Sequence, residues 1–393
     1  MRKHKILISM IVSIFFLSTM HAYAEEVSEE KNETLNLAEE AKSAILIERD
    51  TGTILFDKNV HEKLAPASMT KIMTLLLIME AIDKGELKKD ETVRVSERAA
   101  SMGGSQIFLE AGEEMKVNDL IKGIAVASGN DASVALAERL AGSEEAFVQM
   151  MNKKVKELGL ENTNFKNTTG LPADEHFSTA YDMAIIAKEL LKYEDITNYT
   201  SIYEDYLRKG EENEFWLVNT NKLVKFYPGV DGLKTGYTSE AKYCLTATAE
   251  KEDMRVIAVV MGAETPKERN AIVSSMLDYA FNQYKTNKIF EKDEVITNLD
   301  LLKAEKEHVD VVASESVSTI HPKGENIDNI STEVTLKPDV ELPLHRGDKV
   351  GMLRIKNGEE VLSEIPLTVN EDIEQASYIT LFKRTIKEMV KYR

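Results

Sequence analysis

Two periodicities divide this chain, one near 3.6 residues and one of two, and their exchange marks its parts. Ala44 to Leu55 reads as two short strands joined at Asp50-Thr51-Gly52. Ile72 to Ile82 is an apolar run without Gly or Pro, which predicts a helix. Glu91 to Val95 is extended in pattern. Val117 to Val126 and Asp131 to Leu140 are amphipathic helices meeting at Ala127-Ser128-Gly129-Asn130; Glu144 to Leu158 is a third, stopped by Gly159. Thr179-Ala180-Tyr181-Asp182 has the form of a capping box opening a helix over Met183 to Leu191. Pro228, Gly229 and Gly232 make a tight approach to a strand beginning at Leu233. The β-branched runs Tyr243 to Thr248 and Met254 to Met261 predict neighbouring antiparallel strands, and Arg269 to Tyr284 a helix. The expected class is α+β, helices with a late antiparallel sheet, over residues 41–285.

From about Lys288 the period becomes two. Thr332 to Leu336, Val350 to Ile355 and Glu360 to Ile365, with a turn at Asn357-Gly358, predict a small all-β domain over residues 288–370. Residues 371–393 change again. Tyr378, Leu381, Phe382, Ile386, Met389 and Val390 fall on one helical face, and Lys383, Arg384, Lys387, Lys391 and Arg393 against Glu388 give a local charge of +4. Such a helix suits an anionic membrane surface; the alternative is a helix packed on the β domain.

At the other end, Arg2, Lys3 and Lys5 precede an apolar stretch from Ile6 to Met20 and Ala22-Tyr23-Ala24. This is the form of a secretory signal peptide over residues 1–24, followed by an acidic lead-in over 25–40. The chain has 393 residues and a net charge of −18, which deepens to −21 once those three basic residues are removed. Such a surface repels nucleic acid. The single cysteine, Cys244, excludes an intramolecular disulfide and reads as a buried strand residue. The seven histidines show no ligand spacing, so neither a metal nor another cofactor is expected.

Chemistry enters at Pro66-Ala67-Ser68-Met69-Thr70-Lys71. Pro66 sets Ser68 in the opening turn of the Ile72–Ile82 helix, and Lys71, three residues on, returns to the same face. Two more short motifs follow in order, Ser128-Gly129-Asn130 between two helices and Lys234-Thr235-Gly236 at a strand start. Ser-x-x-Lys, Ser-Asp-Asn and Lys-Thr-Gly together mark penicillin-binding proteins and class A β-lactamases; here Gly129 takes the place of the Asp. The Met102-Gly103-Gly104-Ser105 loop lacks the Gly-Lys-Ser/Thr of a phosphate loop.

With Ser-Gly-Asn as the second motif, the chain resembles the low-molecular-mass penicillin-binding proteins that act as serine-type D-Ala-D-Ala carboxypeptidases, peptidase family S11. The likeness runs from about Ala41 to the C-terminus. It implies a penicillin-binding/β-lactamase-like transpeptidase domain, the β domain and the terminal anchor. It further implies Ser68 as nucleophile, Ser128 as proton relay and Asn130 as holder of the substrate amide. Lys234 and Thr235 would take the terminal carboxylate, and Gly236 would keep the strand open; Arg269 would be either a further carboxylate-binding residue or a surface helix residue. Backbone N–H groups of Ser68 and Tyr237 would form the oxyanion hole. With no histidine in suitable context, Lys71 must serve as a neutral base, which requires burial or a nearby cation such as Lys234. The implied partners are a peptidoglycan stem peptide and β-lactam antibiotics, on the outer face of the cytoplasmic membrane. A β-lactamase, an endopeptidase and a non-catalytic penicillin-sensing module are the competing readings.

Overall fold

The computed structural model describes residues 36–325 and 329–391. The expected signal peptide and most of the acidic lead-in lie outside them. In chain order, β1 (Ser43–Glu48) and β2 (Ile54–Lys58) form the first hairpin. A 3-10 turn, Ala67–Thr70, runs straight into α1 (Lys71–Asp83). Then come β3 (Thr92–Arg94), β4 (Glu114–Lys116), α2 (Val117–Ala127), α3 (Asn130–Ala141), α4 (Glu144–Glu157) and α5 (Ala180–Leu190). The hairpin β5 (Glu204–Leu207) and β6 (Phe215–Val218) leads to β7 (Val230–Thr238), β8 (Lys242–Lys251), β9 (Met254–Ala263) and α6 (Pro266–Gln283). The β5–β6 hairpin was not legible in the pattern, and β7 begins three residues before Leu233 because a bulge at Val230/Gly232 keeps it paired with β8.

The strands order as β2-β1-β9-β8-β7, all antiparallel. Central β9 is buried on both faces, so alternation is lost and the strand reads as a continuous apolar run. Ile45, Ile47, Ile257 and Val259 join the core built with α1 to α5. The intervening Leu46, Ala258 and Val260 are equally buried, and α6 packs against β8 and β9. The sheet thus lies between helical layers. One end strand, β7, leaves its outer edge unpaired in the sheet, and that edge passes the Ser68 turn.

The second part comprises β10 (Tyr284–Phe290), β11 (Val295–Asp300), β12 (His308–Ala313), β13 (Val317–Pro322), β14 (Ile330–Leu336), β15 (Lys349–Asn357) and β16 (Glu360–Val369). Five of these make a sheet ordered β11-β12-β16-β15-β14 around Val309, Val311, Leu353, Ile355 and Leu367. The β15–β16 turn centres on Gly358-Glu359, one residue later than Asn357-Gly358, since Asn357 pairs with Glu360 and Gly358 carries the positive φ of 60°. Helix α7 (Tyr378–Lys391) closes the described chain. No described helix is long and apolar enough to cross a membrane.

Candidate active site

Ser68 sits in the 3-10 turn with its backbone held unusually: the residue before it, Ala67, has φ 46°. Non-glycine residues in that region are strained, and the surroundings must enforce it. The enforcement is visible at Gly170, φ 82°, whose Cα lies so close that an added Cβ would fall 1.8 Å from Ala67 O. From the other side, a Cβ on Gly236 would stand 2.8 Å from Pro66 O and 3.2 Å from Ser68 N. Only glycine lets β7 and the residue 170 loop clamp the turn in this way.

Lys71, the first residue of α1, is fully buried. Its Nζ lies 3.1 Å from Ser68 Oγ and donates to Thr169 O at 2.7 Å. Burial lowers its pKa far below the ordinary lysine range, Lys234 lowers it further, and the Asp131 carboxylate opposes them. Lys234 on β7 is likewise buried, its amine donating to Thr235 O at 3.0 Å. Burial and then Arg269 bring it down to about 7. Arg269 is not a surface helix residue: it is 6% exposed, and its guanidinium donates to Asn270 Oδ1 at 3.1 and 2.8 Å. Three basic side chains therefore converge with no carboxylate paired to any of them among the described residues, and Lys234 with Arg269 shapes the site to receive an anion.

Ser128 ends α2 with φ 63°, and Asn130 opens α3. Asn130 Nδ2 donates to Gly103 O at 2.6 Å, and an added Cβ on Gly104, φ 82°, would meet that nitrogen at 2.7 Å, which accounts for glycine at 104. Asp131 accepts from Ile107 N and Leu109 N and holds the same loop. Ser128 Oγ and Asn130 Oδ1 are buried yet hydrogen-bonded to nothing described. Since buried polar atoms are nearly always paired, these two are free to meet a bound molecule. Thr235 Oγ1 donates to Thr220 Oγ1 at 2.7 Å. Tyr237 is half exposed, its ring stacked on Tyr243 at 4.4 Å.

All nine residues singled out from the sequence thus lie around the junction of the Ser68 turn, the α2–α3 corner and β7, with Arg269 reaching in from α6. Thr169, Gly170, Thr220 and Asp131 were missed. Of these only Gly170 carried a local signal, as a glycine in a polar loop; the others act across long sequence separations. Cys244 is fully buried, its thiol pushed up to about 11 by burial. Among the described residues no group of His, Cys, Asp or Glu is arranged to hold a metal ion.

Residues 27–265 match peptidase family S11, D-alanyl-D-alanine carboxypeptidase, and residues 284–375 match the C-terminal domain of penicillin-binding protein 5. The chain is 54% identical over 390 residues to D-alanyl-D-alanine carboxypeptidase DacF of Bacillus subtilis (strain 168), covering 99% of this chain and all of that one. It is 35% identical to D-alanyl-D-alanine carboxypeptidase DacC of Escherichia coli (strain K12), over 86% of each chain. Its fold is similar to penicillin-binding protein 5 from Haemophilus influenzae, with a TM-score of 0.65 and 31% identity over 85% of this chain and 98% of that one. With its serine, lysines and unpaired polar groups gathered where that family's motifs stand, this chain belongs to peptidase family S11, the D-alanyl-D-alanine carboxypeptidases.

Proposed function

We propose that this protein is a serine-type D-Ala-D-Ala carboxypeptidase, removing the terminal D-alanine from peptidoglycan stem pentapeptides through an acyl-enzyme on Ser68. The observation that carries the reading is the fully buried Lys71 amine, 3.1 Å from Ser68 Oγ. As the neutral base it takes the serine proton while Oγ attacks the carbonyl between the last two D-alanines. The substrate lies along the free edge of β7 as an added antiparallel strand, close to Ser68 because Gly236, having no side chain, lets the serine turn approach β7. Backbone N–H groups of Ser68 and Tyr237 receive the oxyanion. Lys234 and Thr235, with Arg269 behind them, take the terminal carboxylate; Asn130 holds the substrate amide, and Ser128 passes a proton to the departing amine. The unpaired Ser128 Oγ and Asn130 Oδ1 support those two roles. Water then cleaves the ester. A β-lactam acylates Ser68 by the same attack and leaves slowly.

The chain is exported, with residues 1–24 removed, and is held at the outer face of the cytoplasmic membrane by α7. Supporting this, Tyr378, Ile379, Phe382 and Ile386 are exposed, while Arg384 ties the helix to the β domain through Leu302 O, Ala304 O and Glu305 O. The central test is incubation with fluorescent penicillin. Wild-type protein becomes covalently labelled and the Ser68→Ala variant does not; an unlabelled wild type overturns the acyl-enzyme.

A further inference from the structure

The β5–β6 hairpin turns an aromatic face to solvent. In the register of the pair, Leu207 stands opposite Phe215 and Tyr206 opposite Trp216. Leu207 and Leu217 are buried, so strand alternation sends Tyr206 and Trp216, neighbours across the ribbon, to the outer side. Trp216, the single tryptophan of the chain, is 55% exposed and Tyr206 is 42% exposed. Next to the hairpin, Phe108 is 64% exposed and has φ 56°, a strained region for a bulky residue. Its ring meets that of Phe215 edge to face, with 5.4 Å between centres.

Hydrogen bonds tie this hairpin to two walls of the serine site. Arg208, just past β5, donates to Ile107 O at 3.1 Å and Phe108 O at 3.3 Å, and pairs with Glu113 at 2.6 Å. Ile107 and Leu109 are the residues whose N–H groups Asp131 accepts, and Gly103 O on the same loop is held by Asn130. At its other end, β6 runs through Asn219 into Thr220, whose Oγ1 accepts from Thr235 at 2.7 Å. The element that carries Tyr206 and Trp216 therefore borders the groove at both the Asn130 loop and β7.

Tryptophan and tyrosine are the residues that dominate binding surfaces, and charge narrows what this pair can bind. Glu204, Asp205, Glu211, Glu212 and Glu214 stand on the hairpin against Arg208 and Lys209. That acidic border opposes an anionic bilayer or a nucleic acid. An N-acetylhexosamine chain carries no charge for it to repel. Each pyranose ring offers C–H groups to the electron-rich aromatic faces and hydroxyl donors to the carboxylates. Resting on the carboxypeptidase reading, we propose that Tyr206 and Trp216 form a platform for the N-acetylhexosamine chains of the wall, docking the enzyme on glycan while β7 takes a stem peptide.

The test titrates the full chain with a soluble N-acetylglucosamine oligomer and follows tryptophan emission, which arises from Trp216 alone. A saturable change is expected, and Tyr206→Ala, which keeps the reporter, weakens binding roughly three- to tenfold. D-Alanine release is then compared between free pentapeptide and pentapeptide carried on uncross-linked glycan. Tyr206→Ala/Trp216→Ala raises KM for the glycan-linked substrate by roughly three- to tenfold, while kcat, cleavage of free pentapeptide and benzylpenicillin acylation stay unchanged. Emission that does not respond to the oligomer, or a glycan-linked KM unmoved by the double substitution, overturns the platform. Emission that responds to anionic phospholipid vesicles and not to the oligomer overturns it in favour of a lipid contact. Protein that neither acylates nor releases D-alanine overturns the carboxypeptidase reading instead, since oligomer binding is read without turnover.

Discussion

At the residue scale, the proposed chemistry depends on an amine kept neutral by its surroundings. Lys71 stands fully buried beside Ser68, with Lys234 as the second cause of its lowered pKa. Because protonated Lys71 cannot accept the serine proton, acylation declines as pH falls, with its midpoint well below the ordinary lysine value. Removing the neighbouring cation raises the Lys71 pKa, so Lys234→Gln shifts that acidic limb to higher pH as well as slowing the reaction; stopped-flow acylation across pH measures both. His176 is a second titratable group with a defined state. Its Nδ1 accepts the Lys166 N–H at 3.1 Å, so the ring hydrogen is on Nε2, donated to Thr70 Oγ1 at 2.8 Å. Burial first, then Lys166, hold its pKa down to about 4. The unfolded chain, near 6.5, takes the proton first, so this contribution is complete above about 6.5 and is lost as pH falls toward 4, amounting to ~3 kcal/mol. Urea unfolding at pH 7.5 and 4.5 reads that loss, and His176→Gln flattens it.

At the element scale, helix ends place the groups. Helix α6 carries Arg269 inward because Thr265 and Glu268 form a full capping box around Pro266. Thr265→Ala should lower stability by about 1 kcal/mol, read from thermal or urea unfolding. In α5 only half of the expected box forms: Thr179 accepts from Asp182 N at 3.0 Å, but the Asp182 carboxylate turns to Thr163 at 2.7 Å. A long-range hydroxyl competes with the local amide there, and no pattern within the segment foretells it. Helix α7 shows the reverse situation. Its apolar residues Tyr378, Phe382 and Ile386 are exposed, and its hold on the β domain is polar, through Arg384. Phe382→Glu/Ile386→Glu should abolish sedimentation with anionic phospholipid vesicles while penicillin labelling of Ser68 is retained.

At the scale of the whole molecule, sheet order decides where the proposed chemistry has room to occur. Because β7 ends the order β2-β1-β9-β8-β7, a backbone edge is left beside Ser68 for a substrate strand. The β domain continues the chain through β10 and touches the first part by polar contacts, Lys292 Nζ to Lys192 O at 2.8 Å and Ser318 Oγ to Asp50 Oδ2 at 2.5 Å. Polar contacts of this kind add little to either core, so removal of residues 371–393, which lie beyond them, should leave the acylation rate of the remaining protein within about twofold.

Local spacing alone determined much of this protein. Ser68 with Lys71, Ser128 with Asn130, and Lys234 through Tyr237 are each read from a few consecutive residues, because helix and strand periods fix which neighbours share a face. The period-two segments after Lys288 and the basic amphipathic end are equally local. Tertiary structure decided the rest. It brought Thr169 O to the Lys71 amine and Thr220 to Thr235, and it buried Arg269 beside Lys234. It also set the Phe108 ring against Phe215 and tied Arg208 to Phe108 O. These contacts join residues far apart in the chain, and the burial that shifts the lysines is set by packing from several elements at once. No window of the sequence holds that information.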